Sequence, residues 1–346
     1  MMPGEAQVSR PGKGSSVRNR QIVLASRPKG KVEASSFRLV EGEVPSPGEG
    51  QVLTRVRWLS LDPYMRGRMD EGPSYAPPQP LGQVMQGGTV AEVLESRHSG
   101  LRAGDLVVGA AGWQEYQVAD GGTLRKIDAT VVPASAYLGC VGMPGVTAWY
   151  GLHRICEPKA GETVVVSAAA GAVGSVVGQL ARLVGCRAVG IAGGPAKCEH
   201  VVRELGFDAC VDYRSPSFRE DLAAATPSGV DAIFENVGGE VLDAALARVN
   251  PFGRVALCGL IAGYDGQDIS LRSVRAILVS RLRVQGFIVS DHLREWSRAL
   301  AELAAHVAAG RIVWRETVAE GLERAPAAVL GMLRGENVGK QLVKVS

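Results

Sequence analysis

The sequence predicts an α/β fold in which a doubly wound parallel sheet lies between two parts of a β domain. Three observations support this prediction. Short β-like runs divided by Gly and Pro extend from Gln21 to about Ala136. Six apolar strands that alternate with helix-like segments follow from about Gly161 to Ala309. A mixed tail from Ile312 to Ser346 contains one more strand, and 346 residues are ample for two domains.

The N-terminal region has the pattern of an antiparallel, barrel-like β domain. Gln51–Leu61 and Thr89–Glu95 are rich in β-forming residues, and Leu106–Gly109 leads to a further run at Trp113–Ala119. Turns that contain Gly or Pro separate these runs, as expected for consecutive antiparallel strands.

The central region has the rhythm of strand, turn and amphipathic helix. Gly174–Val184 is one such helix, because its apolar residues fall on one face. Short continuous apolar strands that alternate with helices predict a parallel sheet covered on both faces, which is the doubly wound dinucleotide fold. The predicted strands are Thr163–Ser167, Ala188–Ala192, Ala209–Tyr213, Asp231–Val237, Arg254–Gly259 and Arg283–Val289.

The tail contains a helix-like stretch, Ala325–Leu333, and a final strand, Lys340–Val345. We expect this tail to pair back into the first domain. The predicted boundaries are therefore 19–138 together with 311–346 for the β domain, and 139–310 for the inserted domain. Residues 1–18 are rich in Gly, Ser and Arg without an apolar core segment, so we interpret them as a disordered leader, with a transit peptide as the alternative.

Composition excludes several classes of partner. The net charge of +3 is too small to indicate binding to nucleic acid or to an anionic membrane. No apolar stretch reaches the roughly 18 residues that a membrane span requires. The six cysteines form no CxxC pair, which favours reduced thiols and a cytoplasmic location.

A Gly-rich turn follows the first strand of the central region, in the segment Ala168–Gly178. Gly171 suits the tight turn, Gly174 lets the backbone approach a pyrophosphate, and Gly178 allows close packing of the following helix. The second strand ends without the acid that commonly binds the ribose of NAD, and Gly193 and then Lys197 follow it. A 2′-phosphate fits such a site better than a free ribose diol, so the predicted cofactor is NADPH.

Several separate motifs resemble the medium-chain dehydrogenase/reductase superfamily, in its zinc-free branch of prostaglandin reductases, leukotriene hydroxydehydrogenases, plant double-bond reductases and bacterial curcumin reductases. The resemblance covers Asn19–Ser346 and is strongest to the bacterial curcumin-reductase type. Its marks are Leu61–Met69 (LDPYMRGRM), the turn AAAGAVGSVVG, Phe234–Gly239 (FENVGG), Cys258–Gly259, Gly286–Val289 and Asn337–Lys340.

The resemblance implies a GroES-like β domain around a Rossmann domain, a homodimer, and NADPH-dependent reduction of α,β-unsaturated carbonyl substrates. It also assigns cofactor-binding residues by motif. The pyrophosphate would be held by Gly171, Ala172, Val173 and Gly174. The 2′-phosphate would be met by Lys197 and Tyr213, next to Gly193. The nicotinamide half would be lined by Asn236, Cys258, Gly259, Ile261, Tyr264, Phe287, Ile288, Val289 and Asn337.

Metal ligands are missing from the pattern. The first cysteine is Cys140, and the segment Gly82–Gly88 contains no His-Glu pair. We therefore expect no metal site, and polarisation of the substrate by hydrogen-bond donors instead. Tyr264 is the predicted donor to the enolate, and Tyr64 is expected to shape the substrate pocket.

Other assignments stay open at this point. Arg66 and Arg68 could steer an acidic substrate or the cofactor phosphate, or they could be surface or dimer contacts. Asn236 could contact the cofactor or cap the helix that begins near Gly239. A quinone reductase of the same superfamily and a non-catalytic NADPH-binding protein are the alternative functions.

Overall fold

The computed structural model describes residues 18–264, 266–267 and 269–346. The predicted leader lies outside the described residues except for Arg18, which the prediction placed in the leader and which instead begins the first strand. No helix of the described part is long and apolar enough to cross a membrane.

The strands and helices are numbered in chain order. The strands are β1 (Arg18–Leu24), β2 (Phe37–Glu43), β3 (Gln51–Ser60), β4 (Thr89–Ser96), β5 (Leu106–Gly109), β6 (Tyr116–Asp120), β7 (Arg125–Lys126), β8 (Thr163–Ser167), β9 (Arg187–Ala192), β10 (Ala209–Asp212), β11 (Val230–Glu235), β12 (Val249–Leu257), β13 (Arg283–Gly286), β14 (Glu316–Glu320) and β15 (Lys340–Lys344). The helices are α1 (Tyr64–Gly67), α2 (Met143–Tyr150, continued by the π-helical turn Gly151–Cys156), α3 (Gly174–Val184), α4 (Pro195–Arg203), α5 (Phe218–Ala225), α6 (Gly239–Leu246), α7 (Val274–Val279), α8 (Leu293–Ala308) and α9 (Ala325–Leu333). Single 3-10 turns lie at Ala34–Ser36, Gly121–Thr123, Ala134–Leu138, Ile261–Gly263, Val289–His292 and Leu322–Arg324.

The predicted doubly wound sheet is confirmed. Its six strands are parallel and lie in the order β10-β9-β8-β11-β12-β13. Neighbouring residues of β8 belong to two different cores: Val164 and Val166 pack with α3, whereas Val165 packs with residues of α5 and α6. Because successive side chains of a strand point to opposite faces, helices cover both faces of the sheet.

The second large sheet joins strands from both ends of the described chain. Its order is β14-β15-β3-β4-β5-β7, with β6 also paired to β3. Strand β15 runs antiparallel to β3, with Leu342 opposite Ser60, and parallel to β14. The hairpin β1-β2 joins this region through isolated bridges such as Val23 with Val84. The α/β fold class is therefore as predicted, while the domain boundaries at 138/139 and 310/311 stay a prediction.

Among the strands of the parallel sheet, β12 and β13 differ most from their predicted bounds. Strand β12 begins at Val249 instead of Arg254, because the segment Asn250–Gly253 forms a bulge against β11 in which Phe252 has a φ of +65°. Strand β13 ends at Gly286, three residues earlier than predicted, and a 3-10 turn begins at Val289. The bulge leaves the Phe252 ring 68% exposed at the surface.

Candidate active site

The turn between β8 and α3 brings backbone atoms closer together than any side chain would permit. A carbon added to Gly174 would lie 2.4 Å from the carbonyl oxygen of Ala168. A carbon added to Gly178 would lie 1.8 Å from the ring of Phe207, just before β10. Both positions therefore require glycine. The close packing expected at Gly178 is present, and its partner is the Phe207 ring.

This turn also presents hydrogen-bond donors. Among the described residues, the N–H groups of Ala172 and Val173 have no acceptor, and they stand directly before the first turn of α3. Gly171 is held to the Ala168 carbonyl at 2.9 Å. Free N–H groups at the positive end of a helix form a binding site for phosphate oxygens.

A cationic pocket lies beyond the ends of β9 and β10. A carbon added to Gly193 would lie 2.9 Å from the Tyr213 ring and 3.1 Å from Arg214 Nε, so both side chains pack over this glycine. The Arg214 guanidinium also stacks 5.6 Å from the centre of the Tyr213 ring. Asp212 accepts hydrogen bonds from the N–H groups of Gly194 and Arg214, which fixes the loop.

Lys197 completes this pocket from the first turn of α4. Its Nζ donates to the Gly335 carbonyl oxygen at 2.6 Å. Burial lowers the pKa of Lys197, and the neighbouring Arg214 lowers it further. An anion between Lys197 and Arg214 would relieve both unfavourable effects. The three side chains that could receive a 2′-phosphate are therefore Lys197, Tyr213 and Arg214.

The loops after β11 and β12 are joined by hydrogen bonds. The Asn236 side chain donates to the Ser167 carbonyl at 2.8 Å, and the Asn236 N–H donates to the Ser167 hydroxyl at 2.7 Å. Asn236 thus holds the end of β11 to the end of β8. It does not cap α6, which begins after Gly238 with no side-chain cap.

Glu235 is the buried centre of these loops. One carboxylate oxygen accepts from the N–H groups of Val237 and Gly238, both at 2.6 Å. Its backbone carbonyl accepts from Cys258 and Gly259. Burial raises the pKa of the Glu235 carboxyl. Glu235 therefore holds the loop after β12, which contains Cys258 and Gly259, against the loop after β11, which begins at Asn236.

The remaining predicted cofactor residues fall into two places. The Phe287 ring lies in the core, at 5.5 Å from Tyr150 and 6.2 Å from Phe234, so only its backbone can face a ligand. The Val289 carbonyl is bound by Trp296. Asn337 donates to the Gly339 carbonyl, and the Gly339 N–H donates to Ala170 at 2.7 Å, which brings Asn337 to the dinucleotide turn.

Tyr64, Tyr75 and Tyr264 lie in one neighbourhood beside these loops. A carbon added to Gly259 would lie 3.8 Å from the Tyr264 hydroxyl. Burial raises the pKa of Tyr264 to about 12, with further increases from Tyr75 and Cys258. Burial also raises the pKa of Tyr64, which Asp62 reinforces and Arg68 opposes. Both hydroxyls therefore stay protonated at neutral pH and can donate a hydrogen bond to a developing oxyanion.

The two arginines of the Leu61–Met69 motif have different environments. Arg66 is 2% exposed and donates to Asp70 at 2.8 Å and to the Gly30 carbonyl at 2.7 Å. Of the roles left open for Arg66, burial excludes a surface or dimer contact, and the two hydrogen bonds show that it anchors a loop. Arg68 lies over the Tyr64 ring at 4.9 Å and binds Gln86.

Two residues of this site were missed in the sequence. Arg214 directly follows Tyr213, and a basic residue next to a predicted phosphate contact was a usable signal. Tyr75 lies in the Pro-rich segment 72–80, and prolines restrict the backbone of a segment without showing the direction in which it folds. Within the described residues, no group of three or more His, Cys, Asp and Glu side chains could hold a metal ion.

Two family models match the chain. One is described as the N-terminal domain of oxidoreductase and matches residues 20–127. The other is described as zinc-binding dehydrogenase and matches residues 172–305.

Individual proteins match over nearly the whole length. The chain is 46% identical to the NADPH-dependent curcumin reductase of Escherichia coli (strain K12), across 95% of this chain and 97% of that protein. It is 41% identical to the NADP(+)-dependent 2-alkenal reductase of Nicotiana tabacum, across 95% of this chain and 98% of that protein. The crystal structure of CurA from Vibrio vulnificus in complex with NADPH has a TM-score of 0.90 at 44% identity, covering 94% of this chain and 99% of that chain.

Proposed function

The chain belongs to the medium-chain dehydrogenase/reductase superfamily, in the prostaglandin reductase and alkenal reductase branch, and from this we infer that it is an NADPH-dependent reductase of carbon–carbon double bonds conjugated to a carbonyl. The observation that carries this inference is the presence of half-buried, protonated tyrosines near a dinucleotide turn at the carboxyl edge of the parallel sheet. Ligands bind at this edge in open α/β sheets.

The residues present fit NADPH. The free N–H groups of Ala172 and Val173, with Gly171 and Gly174, would hold the pyrophosphate. Lys197, Tyr213 and Arg214 would hold the 2′-phosphate, because no carboxylate at the end of β9 selects a free ribose. The loop residues Asn236, Cys258, Gly259 and Ile261, the backbone of Phe287–Val289, and Asn337 would line the nicotinamide half. When bound, the cofactor supplies a hydride for the β-carbon of the substrate.

Tyr264 is proposed to stabilise the charge that develops on the substrate. As a double bond conjugated to a carbonyl is reduced, negative charge accumulates on the carbonyl oxygen as an enolate. A protonated Tyr264 hydroxyl can donate a hydrogen bond to that oxygen, and the partly buried site strengthens the bond. Tyr64, held under Arg68, shapes the pocket, and water supplies the proton for the α-carbon.

A substrate panel tests the reaction. Enals, enones and quinones are assayed by NADPH absorbance, and the products are identified by mass spectrometry. We expect saturation of the carbon–carbon double bond in enals or enones. Hydroquinone as the sole product would identify a quinone reductase instead. Binding of NADPH without oxidation by any compound would identify a non-catalytic protein.

We further propose a homodimer, a cytoplasmic location and the domain boundaries 19–138 with 311–346 and 139–310. The dimer is supported by β13, an edge strand of the parallel sheet whose four residues are all exposed. Exposed apolar side chains surround that edge: Phe252, Val274, Leu278, Val279 and Val284. The location is supported by six free cysteines, and fractionation of cells that produce the protein would test it.

A further inference from the structure

Two cysteine thiols meet behind the cationic pocket. Cys198 lies in the first half of α4, one residue after Lys197, and Cys210 lies in β10, three residues before Tyr213. Helix α4 packs on β10, and each of the two thiols shifts the pKa of the other. Both are free and only half-buried, so a small oxidant can reach them.

The packing of α4 on the sheet explains why the thiols meet. Cys210 pairs in register with Gly190 of β9. A carbon added to Gly190 would lie 2.9 Å from Val201 of α4 and 3.2 Å from the Cys210 sulfur. Since Cys198 and Val201 are three residues apart on the helix, they share the face that contacts the sheet. The missing side chain at Gly190 lets the helix approach β10.

The two sulfurs are chemically unequal. The neighbouring Cys210 thiol lowers the pKa of Cys198, and the Ala192 backbone lowers it further. The neighbouring Cys198 thiol and burial raise the pKa of Cys210. Burial raises the pKa of Cys140, Cys156, Cys186 and Cys258 as well. Cys198 is therefore the thiol with the greatest tendency to react as a thiolate.

We propose that Cys198 and Cys210 form a redox-active dithiol, which a hydroperoxide converts to a disulfide that weakens NADPH binding. The Cys198 thiolate attacks one oxygen of the hydroperoxide, and the O–O bond breaks. The other oxygen leaves as the alcohol or as water, and Cys198 becomes a sulfenic acid. The Cys210 sulfur then displaces the sulfenic oxygen as water, and the S–S bond forms. In sum, two thiols give two electrons and two protons to the hydroperoxide, which becomes one alcohol and one water.

The expected effect on the cofactor follows from the positions of the two residues and rests on the proposed NADPH site. A disulfide holds its sulfurs about 2 Å apart, closer than two sulfurs in non-covalent contact. Closing the bond therefore draws the first half of α4 toward β10. Lys197 lies on one of these elements, and Tyr213 and Arg214 directly follow the other. The three proposed phosphate ligands move relative to one another.

The modification is tested on the full-length protein without reference to activity. Reduced protein is treated with hydrogen peroxide, alkylated and digested with trypsin without reduction. Cleavage after Lys197, Arg203 and Arg214 places one cysteine on each of the peptides 198–203 and 204–214. We expect these two peptides to be joined by a disulfide, with a mass lower than the sum of the two peptide masses by two hydrogen atoms. Sulfinic acid on Cys198 without a joined peptide would overturn the proposal.

Variants control for non-specific oxidation. Cys198→Ser and Cys210→Ser should each abolish the joined peptide. Cys186→Ser should retain it, because Cys186 bonds to the Lys159 carbonyl at the other end of β9 and a hydroxyl can make that bond. A joined peptide that involves Cys186 in place of either partner would contradict the assignment.

Cofactor affinity is measured by fluorescence on the same samples. Oxidation should raise the dissociation constant of NADPH several-fold, with a smaller change for NADH and recovery on addition of dithiothreitol. Cys198→Ser should show no such change. An unchanged NADPH affinity in the cross-linked protein would overturn the coupling to binding. If the reduced protein itself did not prefer NADPH to NADH, the proposed cofactor site would be wrong, while the joined peptide would still establish the dithiol.

Discussion

At the scale of single residues, the surroundings of Tyr264 determine what its hydroxyl can do. An ordinary tyrosine has a pKa of about 10. Burial raises the pKa of Tyr264 to about 12. The hydroxyl is therefore a donor throughout the pH range in which NADPH-dependent enzymes work, and it loses this role only when ionised at strongly alkaline pH.

Tyr264→Phe should lower kcat by about 100-fold, the typical cost of removing one donor to an oxyanion. The dissociation constant of NADPH should stay nearly unchanged, as measured by fluorescence titration. Tyr116→Phe is the control, because that tyrosine lies on β6 in the other sheet. In the wild type, kcat should not decline through an ionisation near pH ~10, where an unperturbed tyrosine would titrate. Unchanged turnover in Tyr264→Phe would remove this residue from the mechanism.

Lys197→Ala and Arg214→Ala should each raise the KM for NADPH by about tenfold or more, because each removes a charged partner of the 2′-phosphate. The KM for NADH should change much less, since that cofactor lacks the phosphate. Steady-state kinetics with both cofactors measures the difference, and Lys159→Ala, a change at an exposed lysine elsewhere in this domain, is the control. Equal effects on the two cofactors would exclude the 2′-phosphate role.

Local pattern explains which of these residues could be predicted. Lys197 follows a strand whose apolar pattern is clear in the sequence, whereas Tyr213 was assigned by the family resemblance. Tyr75 and the buried Arg66 could not be predicted in the same way. Their positions depend on how the segments around Gly30 and 72–80 fold over the site, and Pro and Gly restrict a backbone without determining its direction.

At the scale of elements, a buried ion pair joins β15 to the short segment between β3 and α1, directly before Tyr64. Lys340 Nζ lies 2.8 Å from Asp62 and 2.6 Å from the Leu61 carbonyl, and both charged side chains are less than a tenth exposed. Ser60 also donates to Asp62. Gly339, the residue before Lys340, donates its backbone N–H to the Ala170 carbonyl oxygen in the dinucleotide turn. This short segment thus connects the proposed cofactor site with the substrate loop.

Lys340→Met should reduce the free energy of unfolding by about 3–5 kcal/mol, because it leaves the buried Asp62 carboxylate without its cation. Urea titration measures the loss. The double variant Lys340→Met/Asp62→Asn should recover much of it, since no uncompensated charge remains. If the double variant were as unstable as the single one, packing of the lysine stem and not the charge would explain the effect.

The predicted bounds of an element are correct where its apolar residues keep one regular spacing, and they are wrong where a bulge or turn interrupts that spacing. Strand β8 and helices α3 and α9 have the predicted bounds. Strand β12 was predicted too short because Pro251 and Gly253 resemble a turn in the sequence. In the structure they belong to a bulge that stays within the sheet.

At the scale of the whole molecule, the exposed edge of the parallel sheet should join two copies. Val284→Lys in β13 should shift the mass measured by light scattering from dimer toward monomer, because a charge on an edge strand disfavours pairing. Val318→Lys is the matched control: Val318 is also on an edge strand, β14, with 40% exposure against 37% for Val284. A wild-type mass equal to one chain would contradict the proposed dimer.

The contact between Lys340 and Asp62 spans 278 residues of chain. A ribosome that adds about 5–20 residues per second needs on the order of tens of seconds to make that length. The parallel sheet, whose six strands all lie within residues 163–286, can form during this interval, whereas β3 waits for β15. After β13 is made and until β15 follows, a nascent chain carries a complete parallel sheet beside an open sheet with an unsatisfied Asp62. Chaperones that recognise exposed β-strands should therefore bind the emerging chain at β3 and release it when β15 arrives.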